Sequence, residues 1–243
     1  MTSPAPEAVE PRVSIIIPIY NEEAILHSAV VDLLDRFDGL DWPFELILAE
    51  NGSKDATVQI AKELSERFPQ VRFTSAGEPN YGKALKEGML IARGEFVICD
   101  EIDLCDTDFH KRALELLERG EADLVIGSKS MVGASDERPL MRRAGTQVIN
   151  TMLRVSLGFK GTDTHGLKAF RRAKLLDIAR QCLVDKDLFA SEFVIRAERG
   201  GIRTKEIPVR VLEKRPPSIG LMRRVPNVMK NLAKLFIAIR IRG

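Results

Sequence analysis

The stretch Val13-Ser14-Ile15-Ile16-Ile17-Pro18-Ile19 is an almost unbroken apolar, β-branched run close to the start of the chain. A strand with one wet face alternates apolar and polar residues, so a strand that stays apolar is covered on both faces, as in a parallel sheet between layers of helices. The next eighty residues keep to that architecture. Ala24 to Phe37 carries Ile25, Val30, Leu33, Leu34 and Phe37 at helical spacing, and Phe44 to Ala49 reads as a second strand. Thr57 to Phe68 is a second helix, Val71 to Phe73 a third strand, Lys83 to Ala92 a third helix and Glu95 to Cys99 a fourth strand. Strand and helix alternating over short connections form parallel βαβ units, whose strand carboxyl ends share one rim where ligands bind. Three polar clusters are expected to meet there: Tyr20 to Glu23, Glu50 to Asp55, and Glu101 to Asp106.

The third cluster is the most demanding. Asp100, Glu101, Asp103 and Asp106 put four carboxylates into seven residues. Their mutual repulsion costs free energy unless a cation or a ring of donors compensates it. Glu101 and Asp103, one residue apart at a strand end, have the spacing to clamp a divalent ion that also holds a diphosphate. The same segment has a plainer use as a helix cap, because Asp106-Thr107-Asp108 precedes the helix-forming run Lys111 to Glu118.

The second half changes character. Lys111 to Gly120 is a helix and Asp123 to Ser128 a strand, after which Lys129 to Arg138 has no periodicity and is expected to be a mobile loop. A helix over Arg142 to Leu157, a turn at Gly161 to Gly166 and a short strand at Leu167 to Phe170 come next. Lys174 to Cys182 and Ser191 to Arg199 are helices, and Ile202 to Leu212 is a strand whose Pro208 suits a sheet edge. The expected division is a lead-in over 1–11, a catalytic domain over 12–212, and a basic loop with an amphipathic helix over 213–243.

Bulk properties narrow the classes. With 243 residues, 44% hydrophobic and 30% charged, the chain has the composition of a globular α/β domain, and a net charge of +2 gives no electrostatic case for nucleic acid. Cys99, Cys105 and Cys182 lack metal-ligand spacing and read as reduced thiols of a cytoplasmic protein. The Pro-rich, acidic start is expected to be disordered and lacks the positive n-region of a signal peptide. No apolar run is long enough to cross a bilayer. Leu221 to Val225 and Val228 to Arg240 interleave apolar and basic residues at helical spacing. That pattern suits peripheral contact with the inner face of a membrane, and equally docking on the domain itself or on a partner, a homo-oligomer included.

VSIIIPIYNEE, AENGSKDAT and NYGKALKEGMLIARGEFVICDEIDL, in that order, resemble the nucleotide-sugar-binding half of family-2 glycosyltransferases. GSK, GTDTHGLKAFRR, the run around Glu192 and the RPPS segment resemble the later elements of the polyprenol-phosphate mannosyl- and glucosyltransferase branch. The resemblance implies a Rossmann-like glycosyltransferase-A fold: a central, mostly parallel sheet flanked by helices. It places Pro18, Tyr20 and Glu22 beside the base and ribose. Glu50 and Asn51 stand where relatives carry the paired acids of a DDGS-like turn, and Lys83 would approach the donor, with Gly82 allowing close backbone passage. Asp55 and Thr57 match the turn's end and the helix start, where capping explains them equally well.

The family's DXD falls on Glu101-Ile102-Asp103, so this chain offers ExD. The implied metal ligands are Glu101 and Asp103 for Mg²⁺ or Mn²⁺, with Asp106 in reserve. Lys129 matches a basic residue after the fifth strand. Asp163 and His165 belong to a D-x-[ST]-x-G turn, and Glu192 matches an acceptor-side acid, unless it simply pairs with Arg196 one helical turn on. Arg215 and Ser218 match a basic loop over the donor phosphates.

The implied reaction is inverting, metal-dependent transfer of a hexose from a UDP- or GDP-linked sugar. Asp103, Asp163, Glu192 and Arg215 form the catalytic set. The acceptor is a polyprenyl phosphate at the membrane surface or, alternatively, a hydroxyl of a glycan or soluble molecule. A catalytically silent nucleotide-sugar-binding subunit is the reading of another class. A sugar-1-phosphate nucleotidyltransferase would need a Gly-rich basic loop after the first strand, and IYNEEA is not one.

Overall fold

In the computed structural model, which describes residues 10–39, 42–211 and 221–240, Val13–Ile19 is strand β1, buried except at Pro18. Its side chains alternate between two cores. Val13, Ile15, Ile17 and Ile19 join one, and Ile16 the other, so the strand is covered on both sides as its composition required. The chain continues as α1 (Leu26–Phe37), β2 (Phe44–Glu50), α2 (Thr57–Arg67), β3 (Val71–Ser75), α3 (Tyr81–Ile91), β4 (Phe96–Cys99) and α4 (Thr107–Glu118). Then come β5 (Leu124–Ser128), β6 (Ser135–Asp136), α5 (Leu140–Leu157), β7 (Lys168–Arg171) and α6 (Arg172–Gln181). A short 3₁₀ turn (Lys186–Leu188), α7 (Phe189–Arg199), β8 (Thr204–Pro208), β9 (Arg210–Val211) and α8 (Leu221–Arg240) complete it.

The main sheet has the order β3-β2-β1-β4-β7-β5-β8. Every pairing in it is parallel except those of β7, which lies antiparallel between β4 and β5. Helices α1, α2 and α4 cover one face; α3 and α5 to α8 cover the other. The reversal of β7 positions the site. A strand that runs backwards starts where its neighbours end, so Lys168 at the head of β7 lies level with Cys99 of β4 and Ile126 of β5. The turn before β7 is thereby delivered to the carboxyl rim.

Two expectations change. The strand expected over Ile202 to Leu212 divides at Val209: β8 is the sheet edge that Pro208 demands, and β9 pairs with β6 in a separate two-stranded sheet. That pairing also gives the loop after Lys129 a short element of order. The last turns of α8 dock on the domain. Leu235, Ala238 and Ile239 are buried, and the Ala238 and Ile239 carbonyls accept from Arg196 and Arg199 at 3.2 and 3.0 Å. Residues 1–9 of the lead-in, and 212–220 with Arg215 and Ser218, lie outside the described residues.

At the rim opposite the site, the Glu45 carboxylate of β2 is buried beside Ser14 of β1. It accepts from the Ser14 hydroxyl (2.6 Å), Arg72 (2.7 Å), and the Arg93 amide (2.7 Å) and guanidinium (3.1 Å). Burial alone would raise its pKa, but these donors outweigh that and hold it below 4.5. A carboxyl whose pKa is lowered by folding contributes stability that is complete above 4.5 and is lost as pH falls through the lower folded-state value. Glu45→Ala, which strands two arginines and a hydroxyl, is expected to cost about 2 kcal/mol. Melts below pH 4.5 should show a shallower acid decline in Glu45→Ala than in the parent. An identical decline in both would refute the assignment.

Candidate active site

Strand β4 empties into the acidic loop, and the loop spends part of its charge on its own structure. Asp100 is buried. Its Oδ1 accepts from the Glu101 amide (2.6 Å), while Oδ2 accepts from the Asp106 amide (3.1 Å) and meets His110 Nε2 of α4 at 2.6 Å. One carboxylate thus ties both ends of the loop to α4. Between those ends the Glu101 carbonyl accepts from the Leu104 and Cys105 amides (3.0 and 3.1 Å), and Ile102 is buried. Cys105 has φ +43°, and its carbonyl is held by Arg36 of α1 at 3.1 Å. Asp106 caps α4, Oδ1 accepting from the Phe109 amide at 2.9 Å. Asp106 Oδ1 is thereby engaged as a helix cap. Glu101 and Asp103 are the two carboxylates that the loop's backbone does not consume.

Cations from three other segments face this pair. Lys129, just past β5, forms an ion pair with the buried Asp163 at 2.7 Å. Lys168, 3% exposed, donates to the Gly166 carbonyl at 2.7 Å. Its field and that of Lys129 reach Glu101, as does the Glu101 charge reach Arg138, which is locked in a two-pronged pair with Asp136. Glu101 is exposed at the rim. Desolvation, then the Asp103 charge, push its carboxyl up to about 7 despite Lys129 and Lys168. Negative charge at this point is under-compensated, so the donor set fits a divalent cation. Among the described residues no group of three or more His, Cys, Asp and Glu side chains is arranged around one point. A cation here would take two carboxylates from the protein and the rest of its shell from ligand and water, a pattern typical of Mg²⁺ at diphosphates.

The turn Asp163-Thr164-His165-Gly166 is fixed from several sides. Asp163 accepts from the His165 amide (2.9 Å), and Thr164 Oγ1 meets His165 Nδ1 (3.0 Å) and Ser191 of α7 (2.8 Å). A Cβ on Gly166 would lie 1.8 Å from the Gly127 carbonyl oxygen, so only glycine fits. Burial opposes ionisation of Asp163, but the charge and hydrogen bond of Lys129 prevail and lower its pKa. A carboxylate held that way is a poor proton acceptor. In this arrangement Asp163 is paired with Lys129. Lys129→Ala is expected to cost about 3 kcal/mol, because Asp163 is left charged and buried. A Lys129→Met/Asp163→Asn double variant should regain most of that in urea melts; a strictly additive double variant would deny the coupling.

Glu192 is likewise engaged by its own neighbours. It is fully buried, its Oε2 accepting from the Leu183 and Val184 amides (2.9 and 2.6 Å) and its Oε1 from Arg196 (2.7 Å). It fastens the segment before α7.

The other half of the rim is laced together. The Asn21 amide donates to Ser53 Oγ, the Glu22 amide to Thr57 Oγ1 and the Glu23 amide to Asp55, at 3.0, 2.7 and 3.2 Å. Pro18, Tyr20 and Glu22 are partly exposed at the end of β1. Glu50 is buried and bonded to the Ser53 amide and the Ser75 hydroxyl; Asn51 Oδ1 accepts from the Asn80 amide at the start of α3. Lys83 reaches the Ala76 carbonyl (3.1 Å) and Glu78 (3.6 Å). Gly82 serves a different contact from the one expected: a Cβ there would sit within 2.8 Å of the Lys186 backbone. Arg215 and Ser218 are outside the described residues.

Sequence reasoning passed over Lys168, Arg138 and His110. A lysine inside LKAF, directly after the DTHG turn, was the available signal for the first; nothing local marked the other two.

Residues 14–178 match the family model described as glycosyl transferase family 2. Glycosyltransferase AglD of Haloferax volcanii is 31% identical over 221 residues, 88% of this chain and 35% of that protein. A dolichyl-phosphate beta-glucosyltransferase of Dictyostelium discoideum is 27% identical over 215 residues, 81% of this chain and 65% of that protein. The chain thus spans between 35% and 65% of the length of these relatives. Among solved structures, glucosyl-3-phosphoglycerate synthase from Mycobacterium tuberculosis, with Mn²⁺, UDP-glucose and phosphoglyceric acid, is similar at a TM-score of 0.65. That match is 19% identical and covers 93% of this chain and 80% of that one.

Proposed function

Because the chain belongs to glycosyl transferase family 2, we propose that it transfers a hexose from a nucleoside diphosphate sugar, UDP-linked first among candidates, to a polyprenyl phosphate. The observation that carries this reading is the pair Glu101 and Asp103 at the end of β4, facing Lys129 and Lys168. The UDP-glucose of the structural neighbour and the dolichyl-phosphate glucosyltransferase names among the relatives support the donor and acceptor classes.

Glu101 and Asp103 would hold Mg²⁺ or Mn²⁺, which when bound supplies Lewis-acid neutralisation of the leaving diphosphate. The chain's own part is electrostatic and positional. Lys129, steered by Asp163, and Lys168, anchored on the Gly166 carbonyl, present fixed positive charge where the diphosphate becomes more negative, and fixed charge needs no reorganisation as the bond breaks. An acceptor phosphate oxygen attacks the anomeric carbon from the face opposite the diphosphate. The carbon–oxygen bond to the diphosphate breaks, the configuration inverts and no proton moves. The engagement of Asp163 and Glu192 with their own partners favours this acceptor, since a hydroxyl would need a base that neither supplies.

The test is incubation of the purified protein and Mn²⁺ with UDP-glucose or GDP-mannose and either a short polyprenyl phosphate or the matching polyprenol. Transfer to the phosphate alone is the expected result. Transfer to the alcohol would replace the phosphate reading with a hydroxyl acceptor; no nucleotide binding or turnover at all would remove the enzyme reading. Among the described residues no helix is long and apolar enough to cross a membrane.

A further inference from the structure

Helix α5 is apolar on two sides. Its inward side buries Leu153 and Leu157. Its outward side carries Met141, Val148 and Val155, spaced by seven residues and so stacked on one line, with 69%, 58% and 82% of their surfaces exposed. Ala144, also exposed, falls between them on the same side. A surface helix normally turns charge to water, so an exposed apolar stripe of this length implies something that covers it. The segment leading into α5 extends the stripe: Val132, at the tip of the loop after Lys129, is 97% exposed, and Leu140 77%.

Charge chooses the occupant. Helix α5 contains Arg142, Arg143 and Arg154 and no acidic residue. Helix α8, which lies against it through Arg240 and the Ser156 carbonyl, contains two lysines and three arginines and again no acid. A second copy packed on this face would set one basic helix against another. An anionic surface with an apolar interior satisfies both the stripe and the arginines.

We propose that α5 is a docking helix for anionic membrane: Met141, Val148 and Val155, with Val132 and Leu140 beside them, enter the lipid boundary while the exposed Arg143 and Arg154 meet the headgroups. The placement gives it a purpose. Arg143 and Gln147 of α5 share a cavity with Lys129, Ser130 and Asp136, so docking on this helix brings the lipid surface to the entrance of the charged cleft. In that purpose the inference deepens the proposed function and rests on its lipid acceptor; vesicle binding itself requires no sugar transfer.

The experiment is co-sedimentation of the full chain with phosphatidylglycerol/phosphatidylcholine vesicles and with phosphatidylcholine vesicles alone, alongside Val148→Glu/Val155→Glu. The parent should partition onto the anionic vesicles and not the neutral ones. Withdrawing a valine from lipid is worth roughly tenfold at each position, so the double variant should bind about a hundredfold more weakly. Its melting temperature and UDP binding should be unchanged, since both positions are exposed. A parent that ignores anionic vesicles, or a variant that binds them as the parent does, overturns the proposal. So does a dimer, seen by light scattering, that the variant abolishes without any effect on vesicle binding. If UDP binding fails in the parent while vesicle binding holds, the donor reading falls and the docking helix stands.

Discussion

Asp103→Asn is expected to lower kcat/KM for sugar transfer by roughly a thousandfold, the scale on which removal of a transition-state charge partner is felt. The substitution keeps volume and shape and removes only charge, so the protein should melt no earlier than the parent. There is reason to expect the reverse. Asp103 is the largest single charge raising the Glu101 pKa, and its neutralisation relieves a repulsion that the folded loop otherwise carries. The pair of readouts is diagnostic: activity falls steeply while stability holds or rises. Such opposite movement is the signature of a site that trades stability for function. Mn²⁺ titration in the presence of UDP should show the same loss at the level of binding. If Asp103→Asn retained transfer within about tenfold of the parent, far from the loss such a partner commands, the carboxylate pair would not be the diphosphate site.

The alternating half of the fold was readable because its signals are local. Continuous burial of β1, helical spacing in α1 and α2, and turn residues after each strand are all written within a few positions. The insertion of β7 was not readable, since LKAF contains nothing that fixes its direction, and Lys168 therefore had no apparent neighbours. Sequence order also could not divide labour among the four carboxylates. Asp106 lies three residues before Phe109, the spacing of a cap, and the structure contains that bond. Glu192 and Arg196 are one helical turn apart, and that plain pairing is what the structure contains. At Asp163 and Glu192, which the family resemblance singles out, the structure adds buried partners that the sequence did not disclose for Asp163 and offered as a plain pairing for Glu192.

His110→Phe should weaken Mn²⁺ binding in the presence of UDP by roughly ten- to a hundredfold, although the bond that His110 makes goes to Asp100 and to neither Glu101 nor Asp103. Asp100 is the link. Its Oδ2 is shared between His110 Nε2 and the Asp106 amide, and its Oδ1 holds the Glu101 amide, so the imidazole fixes the carboxylate that fixes both ends of the loop. Phenylalanine fills the same space between Phe37 and Phe109, whose rings lie 5.6 and 6.3 Å from that of His110, and so preserves the packing of α4. What it removes is the donor. Asp100 is then held by its two backbone bonds alone, and the loop carrying Glu101 and Asp103 is aimed less firmly. Asp100→Ala removes three bonds at once and is expected to cost about 3 kcal/mol in addition to the binding loss. His110→Gln retains an N–H donor on a side chain of comparable reach and should restore part of the Mn²⁺ affinity. A purely structural histidine would change the melting temperature and leave affinity untouched. If His110→Phe bound Mn²⁺ with UDP as tightly as the parent, the Asp100–His110 bond would have no part in aiming the loop.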